Sequence, residues 1–182
     1  MTLDDDRFHG DDELWPAHER LWSILTGGRR ERVGGWPKEA LGWATVELDR
    51  AQRELIDAYR RNGPPRIRRG PDDELLGARV RILAFKPIPT VVLLEPMTEG
   101  RIAASLARYG EGYVAAYVII KDDLAPAVER VRGAGLNLSR EAPGPFGRER
   151  LVGDSPPWGA HLILAANDRQ AGRGQQPATI AP

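Results

Sequence analysis

Side chains suited to acid–base chemistry are scarce in this chain, which has three histidines (His9, His18 and His161) and no cysteine. Without cysteine there are no disulfides, thiolate metal sites or cysteine nucleophiles. His161 lies in AHLILAA (160–166), an apolar run that reads as a strand. Imidazole titrates near neutrality and can give or take a proton. The competing reading is a partly buried histidine that donates to a backbone carbonyl. Glu47 lies within LGWATVELD (41–49) and could act as a base, since burial in an apolar cleft raises a carboxyl pKa. Its face stays open, because a one-residue slip turns every side chain of a strand over. Arg81 lies in GARVRILAF (77–85) and could bind a carboxylate or phosphate bidentately. That requires the face of Arg79, Arg81 and Leu83 to line a cleft; otherwise it is a solvated outer face. Trp43, Tyr113, Tyr117 and Trp158 could wall a pocket for an organic ligand, or serve as plain core. Arg66, Arg68 and Arg69 could meet phosphates or sit in a solvated loop. No glycine-rich phosphate motif or nucleophile elbow is present.

The elements that must position these residues form a repeat. LGWATVELD reads as a strand, followed by a helix with Asp49 as N-cap, Gln52 as its capping-box partner and a stripe of Ala51, Leu55, Ile56 and Tyr59. Asn62-Gly63 ends it. About 72 residues later the pattern returns. YVAAYVII (113–120) is the strand, Asp122 or Asp123 the cap, and Leu124, Val128 and Val131 the stripe, with Gly133 and Gly135 at the stop. After the first helix come a weak strand near 65–69, then 77–85 and 90–96. After the second come 136–141, 147–154 and 160–166. Each half reads β-α-β-β-β, and a long period used twice implies a duplicated module. The expected fold is α+β: paired βαβββ modules with mixed, curled sheets around a cleft.

Residues 1–40 form an extension with one amphipathic helix near 12–26, in which Leu14, His18, Leu21, Trp22 and Leu25 share a face. That face packs on the main domain or a partner subunit, or forms a lid. The domain proper spans 41–167, in modules of about 41–96 and 113–167. The polar, Gly/Pro-rich 168–182 is expected to be disordered.

The second half carries specific motifs: Leu93-Leu94-Glu95-Pro96, Gly110-Glu111-Gly112, Asp122-Asp123-Leu124 and Ala134-Gly135. In this order they resemble the vicinal-oxygen-chelate superfamily of glyoxalases and bleomycin-resistance proteins, and most of all methylmalonyl-CoA epimerase-like proteins. The resemblance covers about 41–167, more strongly in the second module. It implies two modules whose inner strands hold a divalent metal, which polarises a carbonyl while a carboxylate moves a proton. Matched to this chain, the ligand positions fall at Gly42 (or Trp43), Val92, Ala115 (or Val114 or Ala116) and Ile163, none of which can bind a hard cation. No metal and no other cofactor is therefore expected. His161 precedes Ile163 by two residues and so should share its face.

Lys plus Arg and Asp plus Glu are 26 each, so the net charge is zero and neither nucleic acid nor anionic membrane is an expected partner. No segment offers the ~20 apolar residues of a membrane span. The acidic start, MTLDDDRFHGDDE, lacks the apolar core of a signal peptide, so a cytoplasmic protein is expected. The expected function is metal-independent isomerisation, epimerisation, cyclisation or a lyase step on a small organic, acyl or polyketide-like molecule, in a setting such as secondary metabolism. His161, Glu47 and Arg81 would do the chemistry. Trp43, Val92, Ala115, Tyr117, Trp158 and Ile163 would line the cleft, and the chain could be a homodimer. The alternative is a non-catalytic, drug-sequestering protein.

Overall fold

The repeat seen in the sequence becomes one continuous sheet. The computed structural model describes residues 14–27, 38–86, 90–121 and 123–167. The first module comprises β1 (Lys38–Ala44), α2 (Leu48–Ala58), β2 (Arg66–Arg69), β3 (Ala78–Ala84) and β4 (Thr90–Pro96). The second comprises β5 (Gly112–Ile120), α4 (Leu124–Gly133), β6 (Ala142–Gly144), β7 (Gly147–Val152) and β8 (His161–Asn167). Before them stands α1 (Leu14–Thr26), and α3 (Arg101–Tyr109) links the modules. The strand order is β2-β3-β4-β1-β5-β8-β7-β6, with the modules joined by the antiparallel β1–β5 pair. The modules thus meet edge to edge by main-chain hydrogen bonds, giving a curled half-barrel of eight strands.

Alternation along each strand sorts side chains between two cores. On the outer face, α1, α2 and α4 cover Leu41, Leu83, Leu93, Val118 and Leu164. The inner face carries Ala40, Val80, Ile82, Val92, Ala115, Tyr117 and Ile163, covered by Leu76 of the β2–β3 connection and Ile102 of α3. β5 is buried along its whole length, as expected of a central strand covered on both faces.

The α1 helix adds to the outer core. Leu21 is fully buried there, worth about 1.5–3 kcal/mol for a side chain of its size. Arg20 donates to the Ala134 carbonyl at the end of α4 (3.0 Å), and His18 Nε2 lies 3.5 Å from Glu39 Oε1. The helix packs on the face away from the half-barrel interior and is not a lid over it.

Three local expectations are corrected. β1 ends at Ala44, and α2 starts at Leu48 with Glu47, not Asp49, as N-cap residue and no bond from its side chain. The helix entry is held from the turn before β5: Glu111 Oε1 accepts from Val46 N (2.8 Å) and Thr45 Oγ1 (2.7 Å) and pairs with Arg50. Glu95 Oε1 accepts from Leu48 N at 3.4 Å. Residues 136–141 form no strand; Leu138 makes a single bridge to Val152. Asp123 caps α4 through Ala125 N, while Asp122, His9 and the 168–182 tail lie outside the described residues.

Candidate functional site

Strand register assembles one row across the inner face. Ile82 pairs with Val92, Val92 with Gly42, Gly42 with Ala115, and Ala115 with His161. Three matched ligand positions, Gly42, Val92 and Ala115, thus fall in one row, whose β8 member is His161. Ile163, the fourth matched position, belongs to the next row beside Tyr117. None of the four side chains supplies a nitrogen or oxygen donor. A Cβ at Gly42 would lie 2.8 Å from Ala115 Cβ and 2.9 Å from Leu94 Cδ1, so the space a ligating side chain would need is already filled. Among the described residues no group of three His, Asp or Glu is placed to hold a metal ion.

The other sequence candidates separate. Val92, Ala115, Tyr117 and Ile163 are fully buried together on the inner face. Glu47 is exposed, because β1 stops before reaching it and the chain has already turned into α2. Arg81 lies on the outer face, where it bonds Asp49 and Gln52 of α2. The apolar parity of Val80 and Ile82 takes the inner face, so the arginine face meets the helix. Trp43 is also on the outer face, edge-on to Tyr113 at 4.8 Å and 87°. Trp158 is 42% exposed beside Arg108, and its carbonyl accepts from Ser105 Oγ of α3. Arg66, Arg68 and Arg69 are exposed along β2, the edge strand of the sheet.

His161 forms part of a pocket of about 310 Å³ with Arg101, Ser139, Asp154, Ser155 and Leu138. The pocket opens where the first turn of α3 meets the chain leading into β8. Arg101 is fixed by a bond to the Ser155 carbonyl at 3.2 Å, and Asp154 by Asn137 at 2.7 Å. His161 is 0% exposed, yet neither ring nitrogen has a hydrogen-bond partner. Burial lowers its pKa from 6.5 to about 4, aided by the Arg101 charge and opposed by the Pro157 carbonyl, which makes no well-formed hydrogen bond to the ring. The imidazole is therefore neutral at pH 7, and each unsatisfied nitrogen costs roughly 1–3 kcal/mol.

A second polar cluster lies deeper, where Tyr117 meets two carboxyls that the sequence did not single out, Asp73 and Glu149. Tyr117 Oη donates to Asp73 Oδ2 at 2.7 Å, and Leu76 N donates to Asp73 Oδ1 at 2.9 Å. Glu149 Oε1 accepts from Phe146 N at 2.9 Å, and Oε2 has no partner. All three side chains are fully buried. Burial raises both carboxyl pKa values, and the Asp73 charge lifts Glu149 further. One signal existed in the sequence: Glu149 shares strand parity with Leu151, opposite Arg148 and Arg150.

No family model matches the chain, and no curated protein matches it significantly. Solved structures do. Methylmalonyl-CoA epimerase from Mycobacterium tuberculosis aligns at TM-score 0.61 and 21% identity, over 71% of this chain and 87% of that one. A hypothetical protein from Bacillus halodurans gives 0.59 and 17%, over 74% and 95%. Streptomyces coelicolor methylmalonyl-CoA epimerase, solved with 2-nitronate-propionyl-CoA, gives 0.55 and 20%, over 72% and 97%. With its curled eight-stranded sheet, the chain has the vicinal-oxygen-chelate fold of these neighbours.

Proposed function

We propose that this chain isomerises a small organic molecule by metal-independent proton transfer, in the pocket beside His161. The observation that carries this reading is a fully buried imidazole with both nitrogens unpartnered, beside a cavity that also contains an arginine. The apolar residues at the matched metal positions and the filled space at Gly42 support metal independence. The epimerase neighbours, some solved with acyl-CoA ligands, support isomerisation as the reaction type. At about 310 Å³ the pocket is at the small end of ligand sites, so only the reacting part of a large substrate fits inside.

Arg101 holds an anionic or carbonyl end of the ligand. Its charge is one cause of the depressed His161 pKa, so an anion paired with it restores basicity to the imidazole. His161 then takes a proton from the carbon next to the carbonyl. The C–H electron pair moves into an enolate stabilised by Arg101, and the imidazolium returns its proton to the enolate, at that carbon or at a conjugated one, which completes the exchange or gives the shifted isomer. Glu47 has no part in this scheme, and Arg101 takes the anion-binding role that the sequence suggested for Arg81. A cytoplasmic setting belongs to the proposal on composition, and a homodimer on likeness to this kind of protein.

Non-catalytic binding is the second reading, favoured by the low His161 pKa, which makes the free imidazole a weak base. The test is proton exchange from deuterated water into small carboxylates and acyl thioesters, followed by NMR with wild type and His161→Ala. Loss of exchange by orders of magnitude in the variant supports the isomerase. Binding without exchange in either protein supports sequestration.

A further inference from the structure

Tyr117, Asp73 and Glu149 lie apart from the His161 pocket, and the two carboxyls come from opposite ends of the sheet. Asp73 belongs to the β2–β3 connection and Glu149 to β7. Around them the ends of the half-barrel touch. Glu74 N donates to the Pro143 carbonyl at 3.3 Å, and a Cβ at Gly70 would lie 3.5 Å from Pro145 Cβ. Gly144 faces the Glu149 carboxyl so closely that a Cβ there would lie 2.2 Å from Oε2. We infer that Asp73 and Glu149 form a one-proton clasp, which holds the β2–β3 connection against the β6–β7 hairpin and opens when that proton leaves.

The hydrogen bonds assign the proton. Asp73 accepts from Tyr117 Oη and Leu76 N, which suits the charged member of the pair. Glu149 Oε2 has no hydrogen-bond partner, so an ionised carboxylate there would stand unsatisfied in the interior and the proton belongs to Glu149. Glu149 is buried and feels the Asp73 charge, so a second ionised carboxyl at this seam is disfavoured. Among the described residues, no Lys or Arg charge draws down the pKa of either carboxyl. From β5 comes Tyr117, with its own pKa raised by burial and by both carboxyls. From β3 come Val80 and Ile82, from α3 Ile102, Ser105 and Leu106, and from β8 Ile163, Ala165 and the neutral His161. From β2, Arg68 is exposed and stacks at 6.0 Å on Phe146, whose ring packs on Tyr117.

Closing takes up one proton, so above the open-state carboxyl pKa the open fraction rises about tenfold per pH unit until the closed-state value is passed. The Glu74 amide reports the clasp directly, because its partner is across the seam. The experiment is hydrogen exchange at the Glu74 amide from pH 6 to pH 9, corrected for intrinsic rates, in wild type and Glu149→Gln. The clasp predicts that wild-type protection falls about tenfold per unit over part of this range, while E149Q changes less than twofold. Flat wild-type protection, or an equal slope in E149Q, overturns it. Should E149Q not fold, the infrared spectrum of wild type decides. A protonated carboxyl band at pH 7 that disappears as Glu74 protection falls supports the clasp, and its absence at pH 7 refutes it.

Discussion

Ala115 pairs with Gly42 on one side and His161 on the other, so His161 stands in register with the position where the resemblance places the first metal ligand. The row keeps one polar side chain, at its β8 end, among apolar neighbours. This is why the candidate chemistry lies at the β8 end of the half-barrel and not at its centre.

Filling the centre should be costly. Gly42→Ala forces its Cβ against Ala115 Cβ, which is fixed to the backbone and cannot swing away. The expected loss is about 1–3 kcal/mol, the usual range for overpacking. Urea unfolding checks this, and an unchanged midpoint would mean that the row is looser than described.

His161→Leu should raise stability by about 1 kcal/mol or more, because it removes two buried unsatisfied nitrogens at similar volume. The gain should grow in acid. The folded-state His161 pKa is about 4 against an ordinary 6.5, so wild type loses stability as pH falls from 6.5 towards 4, and the variant does not share that loss. Thermal unfolding of both proteins between pH 4 and pH 8 measures it. A less stable variant at pH 7 would show that the ring is satisfied.

Arg101→Gln removes a positive charge that holds the His161 pKa down. NMR titration of the imidazole should show the pKa rising in the variant, along with weaker binding of anionic ligands. An unshifted titration would separate Arg101 from the site.

Tyr117→Phe leaves Asp73 Oδ2 without its side-chain donor in a fully buried place, at an expected cost of roughly 1–3 kcal/mol. Chemical denaturation with wild type as reference checks this.

Much of the fold was legible because duplication repeats a strand, a cap, an apolar stripe and a glycine stop. What remained hidden was which face of a strand turns inward. Period two sorts Arg81 from Val80 and Ile82, but only the helix packed on the sheet says which set is inside. Glu47 read as strand because Val46 and Leu48 alternate around it, yet Val46 is exposed and the chain has already turned. Asp73 and Glu149 were missed because PDDE and GRERL carry the charge of solvated segments. Their burial depends on contacts between the two ends of the sheet, which no local pattern records.

A small molecule held beside His161 without a metal is the central claim. Native mass spectrometry of the purified protein, beside His161→Leu, tests that most directly. The predicted spectrum shows no divalent metal, with any organic adduct present on wild type and absent from the variant. A stoichiometric divalent metal on wild type would contradict the account.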